Sequence, residues 1–128
     1  MLNHVDLIGT VISEPILRTD RNNNPVSTFR IACRRNRKNA KGEYETDFMD
    51  VVVWQNNAEF VCEKFKVGDP IVFSGHLQSK ERELVEGKKF HTLEVICDTI
   101  DYQDSLALKD GLSVRSERKR SAESNDEA

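Results

Sequence analysis

Apolar and polar residues alternate with a period of two along much of the first hundred residues of this chain. Every odd position from Val5 to Val11 is apolar or glycine, and the odd positions from Phe29 to Cys33 are again apolar. This is the period of a β-strand with one buried face. A run of turn formers from Asp20 to Pro25 separates the two segments, and we expect the two strands to form a hairpin.

A third strand follows, in which the odd positions from Met49 to Val53 would point into a core. The even positions then place Phe48 and Trp54 together on the opposite face, with Asp50 between them. A single outward-facing aromatic residue more often contacts another subunit or a neighbouring loop than a ligand. Two on the same face favour a binding role.

The periodicity changes after Trp54. Asn56 or Asn57 is placed to cap a helix, and apolar residues then recur at helical spacing until Gly68 and Pro70 end the element. One short helix is therefore predicted in the middle of the chain.

Two further strands complete the pattern, over residues 71–77 and, beyond a charged hairpin at 79–87, over residues 90–102. Three strands, one helix and two strands is the chain order of the OB-fold, a five-stranded Greek-key barrel that commonly binds oligonucleotides on one face. We therefore predict an all-β OB-fold with the short helix between strands 3 and 4, followed by a disordered C-terminal tail.

The 128 residues suffice for one such domain, which we place at residues 1–104, with the polar tail over 105–128. No stretch approaches the roughly 20 apolar residues that span a bilayer. The first residues also lack a basic start followed by an apolar run. We expect a cytoplasmic protein that does not contact a membrane.

Cysteine and histidine positions point to no reactive site. Cys33, Cys62 and Cys97 are widely spaced and odd in number, which indicates neither a disulfide framework nor a zinc site. The histidines are equally scattered, and neither a catalytic constellation nor a glycine-rich phosphate loop can be assembled. We expect no cofactor and no enzymatic activity.

Charge is segregated along the chain. The formal net charge is −3, yet six positive and no negative residues fall in one short segment, at Arg30, Arg34, Arg35, Arg37, Lys38 and Lys41. A charge run in a hairpin is often only a solvated surface. Beside two outward aromatics, however, it supplies the pairing of phosphate-binding charge and base-stacking rings that single-stranded nucleic acid requires.

Over about its first hundred residues the chain resembles the bacterial single-stranded DNA-binding protein family, as a divergent member. The matching pieces, in order, are Leu2-Asn3, Val5-Asp6-Leu7-Ile8-Gly9, Glu14-Pro15, Leu17-Arg18, Asp47-Phe48, Val52-Val53-Trp54, Ala58-Glu59, Gly68, Gly75, Leu77 and Thr92 to Val95. The resemblance implies an OB-fold that assembles, usually as a homotetramer. It further implies nonspecific wrapping of single-stranded DNA during replication, recombination and repair, in the bacterial cytoplasm at the nucleoid.

Phe48 and Trp54 fall where the family places base-stacking aromatics. Two further stacking positions of the family are occupied here by Arg37 and Arg82, and a guanidinium can also lie flat on a base. Asp50 departs from the expected pattern, because a carboxylate repels phosphate unless a cation such as Arg30 lies beside it.

The tail and the binding face leave alternatives open. The family commonly ends in an acidic tip with a terminal Pro-Phe pair that docks on replication and repair enzymes, whereas this chain ends at 124–128 with acid and no aromatic. Recruitment of such partners is therefore in doubt. A primosome-like protein-interaction subunit is the alternative function, and RNA binding is a lesser one.

Overall fold

The computed structural model describes residues 1–111. In chain order, its elements are β1 (Val5–Val11), β2 (Ile16–Thr19), β3 (Pro25–Lys38), β4 (Tyr44–Trp54), α1 (Asn56–Lys64), β5 (Pro70–Glu83), β6 (Lys89–Ile100) and a second helix, α2, over 102–111.

Five of the strands close into a barrel. They pair in the order β1-β5-β6-β4-β3, and β3 returns to β1 through the pairs Thr10↔Ala32 and Val11↔Ile31. The β4–β6 pairing is parallel and the others are antiparallel. With α1 inserted between the third and fourth strands of the ring, this is the OB-fold, and the predicted fold class is confirmed.

β2 lies outside the ring and pairs only with β3. The predicted turn therefore joins β2 to β3, whereas β1 meets β3 only at its end. In this turn the Asp20 carboxylate accepts the N–H of Asn24 at 2.8 Å and that of Asn22 at 2.9 Å. The bond from Asn24 is the main cause that lowers the pKa of Asp20. β2 carries no alternation signal because all four of its residues are exposed.

Inward-facing residues of the strands fill the barrel. The largest fully buried side chains lie at alternating positions of β3, β4 and β5, among them Phe29, Ile31, Val51, Val53, Ile71 and Phe73. Ala58 and Val61 of α1 belong to the same core. The alternation in the sequence thus identified the buried face of each long strand.

The start of α1 differs from the prediction. Gln55 precedes the helix with a φ of 62° and supplies no side-chain cap. Asn56 and Asn57 do not cap it either, so that prediction is wrong. Instead the Asn57 amide donates to the backbone carbonyl of Asp98 at 3.0 Å and ties the helix to β6.

β5 and β6 lie close together at Gly75. A Cβ at this position would lie 1.9 Å from the carbonyl oxygen of Ile96. The β5–β6 register shifts at the same point, between Ser74 and Gly75. Such an irregularity bends a strand, which is what closing a barrel requires, and glycine is the residue that allows it.

α2 extends the fold beyond the predicted domain boundary. The Asp101 carboxylate accepts the N–H of Asp104 at 3.1 Å and so caps the helix. The ring of Tyr102 packs edge-on against Phe60 and Phe65, with centroids 5.1 and 5.8 Å apart.

Ser105, where the tail was predicted to start, lies inside α2 and is buried. Its hydroxyl accepts the N–H of Val72 at 2.9 Å and donates to the carbonyl of Asp101 at 2.6 Å. The predicted boundary therefore cuts through packed structure. The rest of the predicted tail, with its acidic end, lies outside the described residues.

Candidate nucleic-acid interface

Alternation along β4 divides its side chains between the core and the outer face of the barrel. Met49, Val51 and Val53 contact the core, whereas Phe48 is 57% exposed and Trp54 is 39% exposed. Both rings therefore lie on the outer face, as their parity predicts. Six residues of strand separate them by about 20 Å.

The carboxylate of Asp50, between the two rings, is paired with Arg30. The two residues are directly opposite in the β3–β4 register, and Arg30 Nε lies 3.2 Å from Asp50 Oδ1. The guanidinium carbon is also 6.0 Å from the ring centroid of Phe48, within cation–π range. Asp50 therefore has beside it the cation that the sequence argument required.

Tyr44 adds a third aromatic ring to this face. It is 43% exposed, and two cations approach its ring, Arg34 at 4.6 Å and Lys38 at 5.6 Å from the centroid. Sequence reasoning missed Tyr44, although it shares the parity of Phe48 and Trp54. The outer face of β4 thus presents three rings in one line.

Arg35 does not belong to this surface. Its guanidinium makes a bidentate contact with Asp47 at 2.9–3.2 Å and bonds Glu45 at 2.6 Å. These hydrogen bonds and charges, that of Asp47 foremost, raise the pKa of Arg35. Alternation places Arg35 on the face of β3 opposite Arg34, because β3 continues as a strand to Lys38.

Arg37 and Lys41 lie near the end of the β3–β4 hairpin, and both are exposed. The register shifts between Arg34 and Lys38, and the Asn39 carboxamide oxygen accepts the N–H of Lys41 at 2.9 Å within the turn. Within residues 1–111 neither Arg37 nor Lys41 forms an ion pair. Both charges can therefore meet phosphate.

Arg82 lies on the other long hairpin, formed by β5 and β6. It stands directly opposite Phe90, which is 39% exposed. Directly opposed residues of an antiparallel pair share a face, so this hairpin also presents a cation beside a ring. Phe90 was not singled out from the sequence, although its position across the predicted hairpin from Arg82 was a usable signal.

An open groove of about 410 Å³ crosses the outer face between Trp54 and the β5–β6 hairpin. Its lining combines apolar and cationic side chains, Val26, Val52, Ile96, Arg18 and Lys80. The groove is large enough for a planar ring beside the indole, and two cations belong to its lining.

The thiols of Cys33, Cys62 and Cys97 are free. Burial raises the pKa of Cys97 to about 12 and also raises that of Cys33. Across residues 1–111 no group of His, Cys, Asp and Glu side chains is arranged to hold a metal ion. In the same part of the chain, no helix has the length and apolar character needed to cross a membrane.

The closed barrel, with exposed rings and cations gathered on one outer face, has the features of the OB-fold modules that bind oligonucleotides. Comparison with known proteins specifies the family. The family model described as "Single-strand binding protein family" matches residues 2–103. The chain therefore belongs to the single-strand binding protein family, whose description names binding and no reaction.

Two curated relatives agree with this assignment. The chain is 34% identical over 113 residues to the single-stranded DNA-binding protein of Streptococcus mutans, an alignment that covers 88% of this chain and 69% of that protein. It is 37% identical over 105 residues to single-stranded DNA-binding protein 1 of Lactococcus lactis, an alignment that covers 82% of this chain and 70% of that protein.

A solved structure agrees at the level of the fold. The small single-stranded DNA-binding protein from Streptomyces coelicolor superimposes with a TM-score of 0.62 at 24% identity, covering 78% of this chain and 94% of that one.

Proposed function

We propose that this chain binds single-stranded DNA without sequence preference and protects it during replication, recombination and repair in the bacterial cytoplasm. The observation that carries the proposal is the line of exposed rings on β4, Tyr44, Phe48 and Trp54, with Arg30 and Arg34 against two of them. The names of the relatives point to the same ligand.

Stacking explains why such binding tolerates any sequence. Every base has a π-face, and a base stacked on an aromatic side chain contributes about 1–3 kcal/mol. The cations supply attraction to phosphate, which likewise carries no sequence information. Stacking on the aromatic rings thus holds the bound strand, and the cations attract the strand over longer distances.

The proposed surface keeps most of the residues predicted from the sequence. We retain Phe48, Trp54, Arg30, Arg34, Arg37, Lys38, Lys41 and Arg82, and we add Tyr44 and Phe90. Arg35 is left out because Asp47 and Glu45 already neutralise it on the other face.

We also propose that copies of the chain assemble through β1, as a homotetramer. Val5 to Thr10 pair with β5 on one side of the strand, whereas the other side meets β3 only at Thr10 and Val11. Within residues 1–111 the remaining edge has no strand partner, and Ile8 beside it is 63% exposed. An unpaired edge is a template for a second chain. Light scattering should therefore give four times the 14.7 kDa chain mass, and a monomer would contradict the assembly.

A competition experiment tests the binding proposal. The fluorescence anisotropy of fluorescein-labelled oligo-dT should rise on titration with the protein at moderate salt. Unlabelled single strands should reverse the rise, whereas duplex of equal length should not. Failure to bind oligo-dT by a protein that still self-associates would contradict the proposal and favour the protein-interaction alternative. An RNA competitor of equal length reports the preference between the two sugars.

A further inference from the structure

β2 is an edge of the sheet whose outer side has no partner in the described part of the chain, where it pairs with β3 alone. In an antiparallel ladder, alternate residues direct their N–H and C=O groups away from the neighbouring strand. Thr19 lies opposite Pro25, whose carbonyl accepts the N–H of Gln55 at 2.8 Å instead. The outward groups of β2 therefore belong to Thr19 and, two residues away, to Leu17.

The side chains along this edge are apolar on both faces of the strand. Ile16 and Leu17 are both exposed. Ile16 and Arg18 share the outer face of the barrel with Trp54, because Arg18 lies opposite Val26 and Val26 lies opposite Trp54. An exposed strand edge with apolar side chains is a template for a further strand.

A second copy of β2 suits this edge because of the surface that the pair forms. Two identical antiparallel strands are related by a two-fold axis perpendicular to the sheet, so equivalent side chains lie on the same face. The two β4 strands then lie on one continuous sheet, five strand spacings or about 24 Å apart. Their aromatic rings lie on the same side of this sheet. One nucleic-acid strand can therefore run from one copy to the next.

Size and charge make such a contact depend on bound DNA. Four residues of strand extend over about 13 Å, too little surface for a stable dimer. Arg18 forms no ion pair among residues 1–111, and two copies of Arg18 on one face of a joined sheet repel each other. Phosphates that cross the join neutralise both, and the shared strand holds the two copies at a high effective concentration.

We propose that β2 is the contact through which neighbouring molecules associate edge to edge on one DNA strand. The inference rests on the proposed binding of single-stranded DNA and is separate from the proposed assembly through β1. Backbone groups of Leu17 and Thr19 bond across the join, and the side chains of Ile16 and Leu17 become buried there. Binding of one molecule therefore favours binding of the next molecule beside it.

Two lengths of labelled oligo-dT test this contact, one that holds a single assembly and one of twice that length. Mobility-shift titrations of the longer oligomer give separate affinities for the first and the second assembly. The second should bind roughly tenfold more tightly, as a few cross-strand pairs would give. Equal affinities, after correction for the number of available positions, would overturn the proposal and leave the binding of single strands intact.

Two substitutions that add the same charge assign the effect to β2. Leu17 lies opposite the buried Ser27 and thus on the face away from the DNA, so the two copies of the cation in Leu17→Lys should repel each other at the join. This variant should lose the tenfold preference while it still binds the shorter oligomer. Val67→Lys is the matched control, since Val67 is also exposed but lies in the loop between α1 and β5. It should keep the preference.

A preference that survives Leu17→Lys, or one that Val67→Lys abolishes as well, would overturn the contact at β2. Absence of binding to the shorter oligomer by the unmodified protein would overturn both this contact and the proposed function. The shorter oligomer thus distinguishes failure of the contact from failure of DNA binding.

Discussion

Arg34 and Arg35 are neighbours in the sequence but have different surroundings. Arg34 lies over the ring of Tyr44 on the outer face, and Arg35 is held by Asp47 and Glu45 on the other face. The charge run looked like a loop in the sequence. Because β3 in fact continues to Lys38, strand alternation separates the two guanidinium groups.

Replacing each of these arginines by alanine distinguishes a charge that contacts phosphate from a charge that is already paired within the protein. Arg34→Ala should lower the magnitude of the log–log salt slope for oligo-dT by roughly 0.7, the value for one phosphate contact with a single strand. Arg35→Ala removes the same charge and should leave the slope unchanged. Titrations at several salt concentrations measure both slopes. A slope unchanged by Arg34→Ala would remove Arg34 from the interface, and a lower slope for Arg35→Ala would contradict the exclusion of Arg35.

Trp54→Ala tests stacking without altering charge. Loss of the indole should weaken oligo-dT binding by about 1–3 kcal/mol, because one stacked base loses its platform. The salt slope should stay nearly constant. Anisotropy titrations with labelled oligo-dT give both quantities, and unchanged affinity would place the strand elsewhere on the barrel.

Parity in the sequence was enough to find Phe48 and Trp54, but it did not find Tyr44 or Phe90. The predicted third strand was too short, whereas β4 begins at Tyr44. Beyond the core, no buried face supports the alternation, since Tyr44, Glu45 and Thr46 are all exposed. Long hairpin arms of this kind carry no hydrophobic signal, so their aromatic residues are recognised only once the register is known.

At the scale of elements, the β5–β6 contact makes any side chain at Gly75 unfavourable. Gly75→Ala places a methyl group against the backbone of Ile96, which cannot move as a flexible side chain would. We expect the free energy of unfolding to fall by about 1–3 kcal/mol, as for an overpacked core. Urea denaturation followed by circular dichroism measures the change.

Gly111→Ala is the control for this substitution. Gly111 lies in α2 with no atom within 4 Å of the position a Cβ would occupy. Because alanine favours a helix over glycine, this variant should be as stable as the unmodified protein or more stable by up to about 1 kcal/mol. Equal effects of the two substitutions would contradict the close approach at Gly75.

Ser105 tests whether α2 is part of the folded domain. Ser105→Ala leaves the partly buried N–H of Val72 without its acceptor, which should lower the free energy of unfolding by about 1–3 kcal/mol. Ser79→Ala, at an exposed position of β5, should change it little. Urea denaturation measures the free energy of unfolding of both variants. A Ser105→Ala variant as stable as the unmodified protein would return the domain boundary to residue 104.

Sequence composition hid α2 because polar and charged residues interrupt its few apolar positions. Its attachment involves Tyr102, Ser105 and the ion pair of Lys109 with Asp69, and none of these contacts forms an apolar repeat. The barrel itself could be predicted from the order of elements, since few topologies are compatible with three strands, a helix and two strands. β2 was not predicted, because none of its residues is buried and it therefore lacks the alternation that identified the core strands.

At the scale of the whole molecule, function depends on where charge lies. The chain is acidic overall, with a net charge of −3, yet the outer face of β3 and β4 gathers Arg30, Arg34 and Lys38 around aromatic rings. Average composition therefore gave no indication of a polyanion ligand, and only the local cluster did.

The central claim is that an unpaired strand stacks on the exposed face of β4, and the fluorescence of Trp54 tests it most directly. This is the one tryptophan of the chain, so its emission reports that face alone. Titration with oligo-dT at moderate salt should quench the emission in a saturable manner, and duplex of equal length should not. An emission that stays constant while oligo-dT demonstrably binds would contradict the account.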